Sequence, residues 1–388
     1  MRLLILLPRV PFPLEKGDKL RAYHQIKYLS RHHEIILVAL GKKKDNHSKA
    51  LENLKPFCHE IKLIKPCTIH RLINTIYFFL KGRPLQTGYF YSSRARRYIK
   101  QKVVEGSIDS IYCQLFRTAE MVKTFKIPKT IDYQDAFSSS MKKRTQATKG
   151  LQKLLLAVEY KRVKKYEHTI YNWFDNHIII SENDRKAVGI PGIHIIRNGV
   201  DYDFFASQHS GETYDLIFAG NMSYLPNVHT AIYIVKKIMP LIWKERPDSN
   251  LILAGASPDS RVKNLKSKKI IVTGWIEDIR EAYEKSKVFI APMQIGTGLQ
   301  NKILEAMAME LPCITSRESW KPIGAQPDKE IFIAQNAKEY AKIALHLLQN
   351  EEKRKSTGTA ARQYITNNFS WEACTEPLNN IISKTQQK

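Results

Sequence analysis

Short apolar runs recur along the chain, separated by longer amphipathic segments, and midway the alternation starts afresh. In the first half the runs cover residues 3–7, 35–39, 61–64, 110–113, 130–132 and 177–180; in the second they cover 216–219, 251–254, 270–273, 288–291, 313–315 and 331–333. Runs this short, apolar at consecutive positions, are the pattern of strands covered on both faces. Helical periodicity fills the gaps, for example over 19–30, 153–173, 228–243, 279–285, 299–309, 337–349 and 352–367. Strand and helix in strict turn build parallel sheets with helices on both faces. A chain of 388 residues is too long for one core. The expectation is α/β: two open-sheet domains in tandem, 1–200 and 201–366, with 367–388 a helix returning to the first. Ligands of open sheets bind beyond the carboxyl ends of the strands, so two such domains are expected to face a central cleft.

Charge divides the halves further. Residues 1–200 hold 38 Lys+Arg against 16 Asp+Glu, whereas 201–388 hold 24 against 21. Nearly all of the net +25 therefore sits in the first half. A surplus needed only for solubility has no reason to avoid the second half, so the first half is expected to meet an anionic partner. The five cysteines are scattered without a CxxC pair, which fits reduced thiols in a cytoplasmic protein. The opening "MRLLILLPRVPFP" is too short in its apolar run for a secretory core and ends at Pro8, so it reads as a first strand. No stretch approaches the ~18 apolar residues of a spanning helix.

The segment "GTGLQNKILEAMAMELPC", 296–313, follows the apolar run "KVFIAP". A helix N-terminus offers free N–H groups and partial positive charge to an anion. Gly296 and Gly298 permit close backbone approach, Thr297 adds a hydroxyl, and Lys302 adds full charge. Glu305 lies three residues on, near the same helix face, where a carboxylate accepts from the two hydroxyls of a ribose. Phosphate and ribose side by side describe a nucleotide. An ordinary strand–turn–helix with a surface Lys/Glu pair is the plain alternative.

Together with "RNGVD" (197–201), "GWIEDIREAYEKSKVFIAP" (274–292), the opening "PRVPFPLEKGDKLRAYHQIKYLS", "FAGNMSYLPNVHTA" (218–231) and "FSWE" (369–372), this segment resembles glycosyltransferase family 4 of the GT-B fold, and within it bacterial sugar transferases of exopolysaccharide assembly. The resemblance implies two Rossmann-like domains and transfer of a sugar, with retention, from a nucleoside-diphosphate sugar (UDP- or GDP-linked) to a glycan or lipid-linked acceptor. It implies that Gly17 lies near the donor phosphate or sugar, and that Thr297, Gly298 and Leu299 offer backbone donors to the diphosphate. Glu305 would hold the ribose and Trp275 with Ile276 the base; Asn221 would lie on the donor side. Lys302, Arg21 and the helix N-terminus would supply positive charge to the leaving diphosphate. Neither a metal nor any other cofactor is expected.

Three positions depart from the family pattern. Thr297 stands where many members carry the first glutamate of a Glu-x7-Glu pair, so the donor sugar is open. Gly220 is followed by "NMSYLPN" rather than by a basic pair, leaving Lys302 to supply charge. "TIDYQDAFSS" (130–139) stands where many members have a histidine. There Asp135 is a candidate base or sugar contact, and Asp132 a candidate polar group; a turn cap and an ion pair are the competing roles.

The first domain of such enzymes holds the acceptor. Residues 71–100 interleave aromatic and aliphatic residues with seven Lys/Arg, and 151–174 form a second basic amphipathic stretch. Both are expected to lie on an anionic membrane, placing the protein in the cytoplasm, peripheral to the inner face of the plasma membrane. No nucleic-acid-binding module is evident, and no nucleic-acid partner is expected. A nucleotide-sugar epimerase or hydrolase of the same fold, and a non-catalytic binder of anionic polymers, are the alternatives. The first lacks a recognisable acid/base set, and the second leaves the Lys302–Glu305 arrangement unexplained.

Overall fold

A computed structural model describes residues 1–14, 17–41, 47–207, 211–293 and 299–385. The chain divides into two compact units, Met1–Gly199 with Cys374–Lys388, and Val200–Ala373.

The first unit carries a seven-stranded sheet in the order β3-β2-β1-β4-β5-β6-β7. Its strands are β1 (Arg2–Leu7), β2 (Glu34–Leu40), β3 (Glu60–Ile64), β4 (Ser110–Gln114), β5 (Lys129–Asp132), β6 (Asn176–Ile179) and β7 (His194–Ile195), all paired in parallel. Successive side chains of a strand point to opposite faces, and β1 has an apolar residue for each. Leu4 and Leu6 join one core with Ile36, Val38, Ile111 and Tyr166; Leu3, Ile5 and Leu7 join the other with Ala22, Ile26 and Tyr112. The second core also takes Leu378 and Ile382 from the Trp371–Lys384 helix. That helix starts at Trp371 rather than 367 because the preceding Glu351–Phe369 helix runs on, and Ser370, whose Oγ accepts from the N–H of Ala373, separates the two.

The second unit repeats the plan with six strands ordered β10-β9-β8-β11-β12-β13. They are β8 (Tyr214–Ala219), β9 (Leu251–Ala254), β10 (Ile270–Val272), β11 (Ser286–Ala291), β12 (Cys313–Thr315) and β13 (Phe332–Ile333), again parallel. The twelve apolar runs of the sequence are all strands. Only β7, a two-residue edge strand, was not anticipated. The segment expected as one helix over 228–243 is broken: Leu225–Tyr233 is α-helical, Ile234–Ile238 forms a π turn, and Met239–Glu245 resumes the α-helix. Pro240 has no N–H to give to the ladder, and the wider turn lies just before it.

Both sheets reverse direction of growth between their first and fourth strands, at β1/β4 and at β8/β11. The carboxyl ends flanking such a reversal are where open α/β sheets bind ligands. Gly17 follows β1, whereas Gly220 follows β8 and the 299–309 segment follows β11.

Candidate active site

β8 ends at Ala219 and the chain turns at Gly220 with φ +148°; β9 ends at Ala254 and turns at Gly255 with φ +135°. Only glycine takes such angles without strain. The two turns also touch: a Cβ on Gly255 would lie 2.0 Å from the carbonyl oxygen of Gly220. Backbone packed this closely leaves a floor without side chains at the mouth of the sheet.

Lys302 comes to that floor from the Asn301–Ala308 helix. A Cβ on Gly220 would stand 3.0 Å from Lys302 Nζ and 2.9 Å from Asn227 Nδ2. Lys302 Nζ donates to Asn227 Oδ1 and lies 4.8 Å from the centre of the Phe218 ring. Asn227 Nδ2 in turn donates to the carbonyl of Asn221 at 2.9 Å, while Asn221 Oδ1 accepts from the N–H of Ser223. Among the described residues, Lys302 forms no ion pair. Its ammonium is held by an amide oxygen and an aromatic face, with no carboxylate bonded to it. Desolvation pushes its pKa down to about 8, against the pull of Glu305.

Glu305, one turn further along, faces a different partner. The hydroxyl of buried Tyr283 donates to Glu305 Oε2 at 3.0 Å. Desolvation raises the Glu305 carboxyl above the ordinary range, opposed by Tyr283 and Lys302. Lysine and glutamate thus share a helix face and point their charges apart, at Asn227 and at Tyr283. Neither Asn227 nor Tyr283 was singled out from the sequence. Both are neutral polar residues, 75 and 22 positions away from their partners, and no local spacing marks them. Thr297 and Gly298 lie outside the described residues; Leu299, half-buried, precedes the helix. Trp275, 73% exposed, stands on the loop after β10, two strands from β8, with Ile276 half-buried beside it.

Residues 213–350, which contain all of these groups, match the family model "Glycosyl transferases group 1". Over its whole length the chain is similar to the uncharacterized 44.6 kDa protein in the cps region of Klebsiella pneumoniae, at 21% identity covering 95% of this chain and 96% of that one. It is also similar to a Corynebacterium glutamicum protein, the GDP-mannose-dependent monoacylated alpha-(1-6)-phosphatidylinositol monomannoside mannosyltransferase, at 25% identity over 38% of this chain and 42% of the relative. Among solved structures, Anabaena HepE in complex with UDP and glucose superposes with a TM-score of 0.65 at 12% identity, covering 98% of this chain and 99% of HepE. The chain is a glycosyltransferase with a group 1 region over residues 213–350.

The remaining predicted residues of the transferase lie in its first unit. Gly17 opens the Gly17–Leu29 helix after β1, and a Cβ there would meet nothing within 4 Å. Its bareness is not demanded by packing, and space lies where a side chain would stand.

Arg21 requires a correction. It was expected to face the leaving diphosphate, but both it and Asp132 are 0% exposed. Arg21 Nε donates to Asp132 Oδ2 at 2.7 Å, and Nη1 donates to Asn198 Oδ1 at 2.9 Å and to the carbonyl of Arg197. Tyr112 adds its hydroxyl to Asp132 Oδ2 at 2.8 Å, and the N–H of Gln134 takes Oδ1. The arginine ties β5 to the 197–198 turn. Asp132 is at once turn cap and ion-pair partner.

Asp135 stands apart from this knot. It follows Gln134, a non-glycine residue at φ +62° on the turn after β5. Such strain persists where the surrounding structure over-determines it, often beside a functional group. Asp135 as a residue is exposed on this turn, while the protein packed around its carboxyl group takes part of that group's water. The protein around it, and secondarily the charge of Asp184, push its carboxyl up to about 6, against Arg117.

Proposed function

We propose that this glycosyltransferase moves a sugar from a nucleoside-diphosphate sugar, UDP- or GDP-linked, to a glycan or lipid-linked acceptor in cell-surface polysaccharide assembly, with retention at the anomeric carbon. The observation that carries the reading is the ammonium of Lys302, bonded to no carboxylate among the described residues and held over the bare Gly220 turn at the β8/β11 reversal, with Glu305 one turn away. When the bond from the anomeric carbon to the diphosphate breaks, charge gathers on the departing phosphate oxygen. A fixed cation already relieved of part of its water stabilises that charge more than it stabilises the ground state. Lys302 takes this role, assisted by the N-terminus of its helix and by the backbone of Thr297, Gly298 and Leu299. Glu305, held by Tyr283, accepts from the ribose hydroxyls, and Trp275 with Ile276 lines the base.

Asn221 borders the diphosphate through Asn227, and Gly17 leaves room for the transferred sugar. Asp135 is the candidate base or sugar contact, with a carboxyl poised near 6. Support for the donor class comes from HepE, whose structure contains UDP and glucose, and from the mannosyltransferase named as GDP-mannose-dependent. Support for polysaccharide assembly comes from the cps-region relative. We place the enzyme against an anionic membrane surface from the charge of its first half. No helix among the described residues is long and apolar enough to cross a membrane.

Calorimetric titration with UDP, GDP and ADP, wild type beside Glu305→Ala, tests the reading. One nucleotide binds the wild type, and the substitution weakens it on the order of tenfold or more, as expected for loss of charge-assisted hydrogen bonds. Binding that ignores the substitution removes Glu305 from the site. A folded wild type that binds none of the three removes the donor assignment.

A further inference from the structure

The Thr68–Leu80 helix is built the wrong way round for a soluble surface. Ile69, Leu72, Ile73, Ile76, Tyr77 and Leu80 recur at helical spacing on one stripe, and all but Tyr77 are more than half exposed. The opposite face, with Asn74 and Thr75, is the one that packs inward. It meets Gly88 of the Leu85–Phe90 helix so closely that a Cβ there would lie 2.4 Å from the Asn74 carbonyl oxygen and 2.6 Å from Thr75 Cα. Phe78 is buried against Tyr91, their rings 5.2 Å apart. Packing therefore fixes the apolar stripe outward.

A second stripe continues it. Arg162, on the Gly150–Tyr171 helix, donates to the carbonyl of Phe79 at 3.0 Å and lies 3.7 Å from its ring centre; Glu159 Oε1 accepts from the N–H of Leu85 at 2.9 Å. Val158 and Leu155 stand four residues before these two contacts, on the same side of the helix, and with Leu154 they are exposed. An apolar surface this extended on a monomer marks an interaction site.

The charge around it selects the partner. From 61 to 104 the sequence has ten Lys/Arg and no Asp or Glu. Lys81 lies 4.6 Å from the Tyr77 ring and Arg71 lies 4.9 Å from the Tyr89 ring, so cations border the stripe directly. Lys153, Lys161, Lys164 and Lys165 are exposed along the second helix. A second copy of the chain would bring two cationic rims together, and like charges oppose that contact. An anionic phospholipid bilayer satisfies both features, with acyl chains for the stripe and headgroup phosphates for the rim.

We infer that the Thr68–Leu80 stripe, continued by Leu154, Leu155 and Val158, is a membrane-docking face that lies in the plane of an anionic bilayer. The helix is about 20 Å long, enough to lie in the interface and too short to span it. The inference deepens the proposed reading by fixing which face meets the membrane, and its test is separate from that of the donor site.

The experiment is flotation of the full chain with vesicles of phosphatidylcholine plus phosphatidylglycerol, and with phosphatidylcholine alone. Wild type is expected to float only with the anionic vesicles and to be released by salt. Ile73→Asp/Ile76→Asp is expected to lose binding by more than about tenfold, while UDP or GDP binds both proteins alike. Leu80→Glu, at the most exposed position of the stripe, guards against a double variant that folds poorly. Wild type that does not float, or variants that float equally well, overturn the inference. Wild type that sediments as a dimer, made monomeric by Ile73→Asp/Ile76→Asp and indifferent to vesicles, assigns the face to a second copy. Floating protein that binds no nucleotide leaves the docking face standing and removes the donor site.

Discussion

Each unit sets a basic and an acidic residue near the carboxyl edge of its sheet, and the two pairs have opposite fates. Arg21 and Asp132 are wholly buried and joined at 2.7 Å, with Tyr112, Asn198 and Gln134 satisfying further bonding positions. Lys302 and Glu305 share one helix face but are turned to neutral partners, Asn227 and Tyr283. A charge that its own protein has neutralised belongs to the fold. A charge held in place by neutral groups is left for a ligand. Residue type and position after a strand are the same in both cases; what differs is the partner.

The sharpest way to break the comparison is Arg21→Met. It would leave Asp132 ionised and buried with only Tyr112 and Gln134 as donors. Removing one partner of a buried ion pair costs about 3–5 kcal/mol, read as a fall in the denaturation midpoint. Adding Asp132→Asn should recover most of that loss, because no unpaired charge then remains. Nucleotide affinity of the folded fraction should not move. A variant that keeps its stability and loses nucleotide binding would return Arg21 to the site.

This contrast also measures how far the sequence could be read. Strands were plain because parallel strands covered on both faces are continuous apolar runs; β7 escaped because His194–Ile195 is too short to form one. The closeness of Lys302 and Glu305 follows from a three-residue spacing. Arg21 misled because its partner lies 111 residues downstream, on a strand that the fold alone brings near. Asn227 and Tyr283 were hidden for the same reason. The Thr68–Leu80 helix shows a further limit. Its spacing defines an apolar stripe, but periodicity is identical whether that stripe faces the core or the solvent; Gly88, packed on Asn74 and Thr75, decides the direction.

The second test is Lys302→Met, the counterpart of Arg21→Met in the other unit. No ion pair is broken, and Asn227 loses one bond near the open end of the sheet, so the denaturation midpoint should change little. Donor binding should weaken by about 1.5–3 kcal/mol, roughly ten- to a hundredfold, the range for hydrogen bonds to a charged group. Paired calorimetry and denaturation on the two variants should give mirror-image results: stability lost without affinity in one, affinity lost without stability in the other. Equal losses in both would mean that Lys302, too, is a structural cation.

The mildest test uses pH and sets one unit against the other. Lys302 loses its proton at about 8, and Asp135 at about 6. Transfer needs the ammonium charged to meet the diphosphate and, if Asp135 accepts a proton or a sugar hydroxyl, its carboxylate ionised. The profile of kcat/KM should therefore be a bell, falling to about half its plateau near each of these values. Nucleotide binding senses Lys302 on the alkaline side, since a bound diphosphate favours the ammonium and is lost as that charge is lost, and senses Glu305, whose carboxyl is raised above the ordinary range by burial, on the acid side. Asp135→Asn should flatten the acid limb of the rate while leaving nucleotide binding unchanged, and Lys302→Arg, charged throughout, should flatten the alkaline limb of both. An acid limb that survives Asp135→Asn would place the acid-side ionisation on another carboxylate: Glu305 in the donor site, raised by burial, or Glu167 in the first unit, raised to about 7 by burial against the hydrogen bonds from Ser138.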